Sequence, residues 1–131
     1  MKASRAIAVL MIGLACQASA IAKEQFWTAH VGADGKVLRQ WPKWIERVEH
    51  QAKDNYFAQY SLFFNKRIVH QDPGFCSVSP IDTSSENRLV HGYAKVIGKP
   101  VVEKATVMTQ LLDVKGPSGD NSMEFLVMCT R

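Results

Sequence analysis

The N-terminus constrains this chain most, because it sets the compartment in which folding occurs. Lys2 and Arg5 form a positive start. An apolar run of eleven residues, 6–16, follows. It is too short to cross a bilayer core of ~30 Å as a helix. Ala18-Ser19-Ala20 then gives the small–x–small pattern that signal peptidase accepts. The expectation is a cleaved secretory leader over 1–20, with Ile21 as the first mature residue. The alternative is a lipoprotein acylated at Cys16. It fits less well, because Gly13 and Leu14 sit where a lipobox wants a branched apolar residue and a small one. The expected location is therefore periplasmic or secreted after cleavage near Ala20.

An oxidising compartment changes how the cysteines are read. Two remain after the leader, Cys76 and Cys129. An even number there reads as a disulfide, and two cysteines allow a single intramolecular pairing. Their spacing is not C-x-x-C, so a structural bond is favoured over a redox-active one. Residues 21–131 have the length of one domain, and no Pro/Gly/Ser linker divides them. At 47% hydrophobic and 21% charged, the composition excludes a disordered tail. Lys2 and Arg5 leave with the leader, so 14 basic residues face 12 acidic ones, a net charge of +2. With no Lys/Arg block, nucleic-acid binding lacks electrostatic support. No later run is apolar and long enough for a membrane span.

Ten of the 12 aromatic residues fall between Phe26 and Phe75, and the back of the chain is aliphatic and β-branched. This reads as two layers of one domain. Residues 26–31 and 36–40 suggest a short hairpin about the turn Gly32-Ala33-Asp34-Gly35. Over 42–60 the spacing predicts a helix. Pro42 suits its first turn, and Trp41, Trp44, Ile45, Val48 and Ala52 form an i, i+3, i+4 stripe. Residues 62–64 either extend it or begin a strand. Residues 71–86 read as a loop with two breaker clusters. Segments 88–97, 101–114 and 123–130 read as a three-stranded antiparallel meander. The expected class is α+β: one amphipathic helix packed on a mainly antiparallel sheet, with one disulfide.

Little here carries chemistry. Glu46, His50 and Asp54 would form an i, i+4 ladder on the helix, but one imidazole makes a poor metal set, so no metal or other cofactor is expected. His70-Gln71-Asp72 offers a base with an orienting carboxylate, but no nucleophile motif accompanies it, so no residue is assigned a catalytic role. Gly92 inside a strand marks a bulge or a close approach. Trp27 and Trp41 lie near element ends, where a ring either joins the core or anchors a partner. The favoured function is a non-catalytic binding protein of a bacterial-type cell envelope, of the inhibitor or immunity type or an accessory subunit of a secretion or conjugation system. Trp27 and Trp41 would bind its partner, another envelope or secreted protein. The alternative is a small secreted hydrolase using His70 and Asp72.

Overall fold

The computed structural model describes residues 25–53, 56–81, 91–113, 116–117 and 120–131. The expected leader and its cleavage point lie outside them. The described residues form two antiparallel sheets and no helix. The strands are β1 (Phe26–Val31), β2 (Val37–Trp41), β3 (Ile45–Lys53), β4 (Phe57–Phe64), β5 (Phe75–Pro80), β6 (His91–Ile97), β7 (Lys104–Asp113), β8 (Gly116–Pro117) and β9 (Phe125–Thr130). Sheet A has the order β2-β1-β9-β5. Sheet B has the order β3-β4-β7-β6, with β8 paired to β7.

The α+β expectation is overturned, because the segment expected to be a helix is β3 and β4. Its apolar spacing serves both structures. Ile45 pairs with Phe64, a register shift follows, and Val48, His50 and Ala52 then lie opposite Leu62, Tyr60 and Ala58. The inward row thus includes a histidine, which hides the strand alternation. In β4 the alternation is plain, since Ala58, Tyr60, Leu62 and Phe64 are buried. Cross-strand pairing outweighs the local helical spacing.

Two further expectations change. β6 and β7 pair as expected, but β9 leaves them to pair with β1 and β5 in the other sheet. Phe125, Val127 and Cys129 are buried there, so sheet A gains an apolar inner row that a shared meander would have denied it. Part of the expected loop 71–86 is β5. Its residues alternate between exposed and half-buried, and Pro80 closes it at a sheet edge, where a missing N–H costs least.

The hairpin and the disulfide form as expected. β1 and β2 meet about a turn in which Gly35 takes a positive φ of 85°. Asp34 accepts the Lys36 N–H at 3.0 Å, and that bond, with the Lys36 ammonium, holds its carboxyl below the usual range. Cys76 and Cys129 lie directly opposite each other in β5 and β9 and are bonded. The bond closes a sequence separation of 53 residues, for which the chain-entropy model gives about 4 kcal/mol. Gly92 makes a close approach, and the group that a side chain there would meet is the thioether of Met123.

The core lies between the sheets. Trp44 is fully buried, stacks on Trp27 with centroids 6.1 Å apart, and meets Phe64 at 5.3 Å. Its indole N–H donates to the Thr28 carbonyl at 2.9 Å. Tyr60 packs edge-on against Phe125 at 4.9 Å. Its hydroxyl donates to the Ala33 carbonyl and accepts the Met123 N–H. Burial raises the pKa of that hydroxyl.

Candidate functional site

The outward side of sheet A follows from register. Trp27, Ala29 and Val31 are buried, so Phe26, Thr28 and His30 face out. Directly paired residues share a face. Phe26, Thr130 and Phe75 therefore make one row. Trp41, Thr28, Met128 and Ser77 make a second, and Arg39, His30, Leu126 and Ser79 a third. Phe26, Trp41, Phe75 and Leu126 are all exposed. The strands thus gather aromatic side chains that are far apart in sequence onto one face, most densely at the end where β1 begins and β2 and β9 finish.

The two candidate tryptophans part here. Trp27 is 2% exposed and belongs to the core, whereas Trp41 is 76% exposed. Trp41 is nevertheless firmly held through its backbone neighbours. The Gln40 amide donates to the Ile45 carbonyl at 3.1 Å and accepts the Ile45 N–H at 2.7 Å. A large apolar ring at a braced corner loses little freedom when a partner covers it.

Trp41 is a wall shared by two hollows. The larger, of about 600 Å³, lies beside Phe26, Pro42 and Ile68, and it is also bordered by Trp27. Its polar lining is Gln25, His70 and Arg131. Asn65 fixes the Ile68 side of it. Its N–H donates to the Trp44 carbonyl at 2.7 Å, and its carbonyl accepts the Ile68 and Val69 N–H groups. The smaller hollow, of about 150 Å³, lies between Trp41 and Leu126 and is lined by His30 and Arg39. His30 pairs with Glu124.

The outward side of sheet B is built differently. The Arg47 guanidinium lies 3.6 Å from the Phe63 ring centroid, and the Lys104 ammonium lies 5.6 Å from the same ring. The Lys53 ammonium lies 5.5 Å from the Phe57 ring. Arg47 also pairs with Glu49, and the Tyr93 hydroxyl donates to Gln110. Phe63 and Phe57 thus lie under or beside cations and Tyr93 is tied into a hydrogen bond, while Tyr56, in the turn between β3 and β4, is 70% exposed.

The groups considered for catalysis do not assemble. Asp72 accepts the Val102 N–H at 2.8 Å and lies 3.7 Å from the Lys99 ammonium. Among the described residues no hydrogen bond joins it to His70, which instead borders the larger hollow. Glu46 and His50 lie on a strand, so the helical ladder does not exist, and Asp54 lies outside the described residues. No cluster of three metal-ligating side chains occurs among the described residues.

A pairing that the sequence did not suggest is His50 Nε2 with Ser122 Oγ, at 2.7 Å. Asp120 takes both the hydroxyl and the backbone N–H of Ser122, which holds its carboxyl below the usual range. Asp120 thus meets Ser122 itself, whereas an acyl-transfer triad sets its carboxylate behind the imidazole. The chain of bonds ties residues 120–122 to β3, and His50 stacks on Tyr60 at 4.7 Å.

Comparison with known proteins returns no matching family model, curated protein or solved structure.

Proposed function

We propose that this protein is a non-catalytic binding module that engages another protein through the outward face of sheet A, with Trp41 as the anchor. The observation that carries the reading is the contrast between the two outward faces. Sheet B covers Phe63 and Phe57 with cations, whereas Phe26, Trp41, Phe75 and Leu126 on sheet A remain open. Contiguous exposed apolar surface is uncommon on monomers and marks interaction sites. Tryptophan and arginine dominate interface hot spots, and here they are neighbours.

The disulfide is consistent with an oxidising, extracytoplasmic location. A partner in the cell envelope or outside the cell follows from that and from the leader expected in the sequence. Inhibitor, immunity and accessory-subunit roles all suit such a module. The hydrolase alternative has no specific observation in its favour: among the described residues no hydrogen bond joins Asp72 to His70, and the Asp72 carboxylate meets Val102 and Lys99.

The test is affinity capture from the native envelope fraction with the wild-type protein and with Trp41→Ala. The expected result is a partner in stoichiometric amount that Trp41→Ala fails to hold and Phe63→Ala still holds. Equal capture by wild type and Trp41→Ala overturns the reading.

A further inference from the structure

We infer that the partner presents an extended acidic segment, which crosses Trp41 with an apolar side chain in the larger hollow and carboxylates toward Arg131 and Arg39. The inference rests on the binding-face reading above and adds the chemistry of the partner.

Charge selects this occupant. Each hollow beside Trp41 has an arginine in its lining, Arg131 in the larger and Arg39 in the smaller. Neither arginine has an ion pair among the described residues. No Asp or Glu among the described residues lines either hollow. Among the described residues Glu124 pairs with His30, Asp34 with Lys36 and Asp72 with Lys99. Among the described residues the face therefore offers two arginines without an ion-pair partner beside apolar surface, and a complementary partner brings carboxylates next to an apolar anchor. A second copy of this chain would instead bring the same arginines to the same face.

Volume fits the same occupant. About 600 Å³ lies within the ~300–1,000 Å³ typical of sites that bury a ligand. The hollow of about 150 Å³ suits a short polar side chain. Hollows on both sides of one tryptophan are crossed by an extended chain more readily than filled by one compact group. Arginine is suited to receiving the carboxylates, since its planar fork pairs with them bidentately.

The experiment pans a displayed random decapeptide library on the purified protein. Selected peptides are then synthesised with a fluorescein label and titrated by anisotropy. The expected peptides carry an aromatic or large aliphatic residue flanked by Asp or Glu. Their Kd rises about tenfold or more in Arg39→Glu/Arg131→Glu, a charge reversal at an ion-paired contact. It also rises with salt between about 50 mM and about 500 mM NaCl. Peptides that lose binding in Trp41→Ala, lack acidic residues and ignore the arginine reversal overturn this inference and leave the binding face standing. Peptides indifferent to Trp41→Ala overturn both. Failure to select any peptide overturns the extended segment. So does a concentration-dependent dimer abolished by Trp41→Ala, which makes a second copy the occupant. Tighter binding of a fluorescein-labelled single-stranded oligonucleotide than of any selected peptide overturns it as well. Circular dichroism of each variant confirms the fold, which the exposure of Trp41 and both arginines predicts will persist.

Discussion

The two outward faces of this protein treat aromatic side chains in opposite ways. On sheet B, Phe63 sits under Arg47 and beside Lys104, and Phe57 lies near Lys53. On sheet A, Trp41 stands out at 76% exposure between two hollows, with Phe26 and Phe75 exposed near the same end. Long cationic side chains cover rings cheaply, because their methylene stems pack on apolar surface while the charge stays in water. The chain thus has a means of covering outward rings, and on sheet B it uses it at Phe63 and Phe57. The difference is what supports the proposed binding function on sheet A.

The sharpest test of that division compares tryptophans that are close in sequence. Trp44→Ala empties a fully buried site and breaks the bond to Thr28. Urea unfolding should show a loss of ~3–5 kcal/mol. Trp41→Ala should change stability by less than ~0.5 kcal/mol and weaken the partner complex by ~2 kcal/mol or more, read by calorimetric titration. A large stability loss from Trp41→Ala would make that ring structural and dissolve the contrast between the faces.

The disulfide gives the next effect. It joins β5 to β9 within sheet A, the sheet that carries the proposed face. Cys76→Ser/Cys129→Ser should cost roughly 2–5 kcal/mol in denaturant unfolding. If sheet A is a stapled platform, the folded fraction of that variant should still bind the partner, with affinity lowered only by the unfolded population. Loss of binding in fully folded variant protein would mean that the bond shapes the face itself.

On sheet B the effects should be smaller. Arg47→Ala uncovers Phe63 and removes a cation–ring contact worth ~0.5–1 kcal/mol at an exposed site. Binding of the proposed partner should not change. If the variant instead associates with itself in sedimentation velocity, the cover is shown to suppress contact, which sharpens the comparison.

How much of this was legible in the sequence depended on whether a pattern had one structural solution. Cys76 and Cys129 could pair in one way only, and the Gly32–Gly35 turn chemistry admits few alternatives, so both were readable. Ile45, Val48 and Ala52 satisfy a helix and, past the register shift after Ile45, a strand as well, with His50 filling an inward position. That ambiguity cost the fold class. The segment around Cys76 looked like loop because its serines and Pro80 are turn formers, although they alternate along an edge strand. The face was half legible. Trp41 could be nominated from its position near an element end. Phe26, Phe75, Leu126, Arg39 and Arg131 could not, because only cross-strand register brings them together. The signal that was present was period-two alternation, with Phe26 and Phe75 both starting a strand.

The smallest effect belongs to Asp120, and it tests whether the His50–Ser122 contact is anything more than a brace. Ser122 holds the Asp120 carboxyl below its usual range through the hydroxyl and the backbone N–H. A carboxyl whose native pKa is lowered stabilises the fold above its unfolded value, near pH 3.9 for a free aspartate. That contribution is lost as pH falls through the lowered native value. Asp120→Asn removes the charge at every pH. The stability gap between wild type and variant should therefore be constant at neutral pH and close as pH falls below about 4. Its size should be about 0.5 kcal/mol or less, because the group is largely exposed and solvent screens it. Partner binding at neutral pH should not move, since the bracing bonds lie outside the lining of both hollows. A stability gap that persists unchanged in acid would assign the effect to packing instead of charge. Loss of partner binding in a folded Asp120→Asn protein would place a second functional centre beside β3, away from the outward face of sheet A.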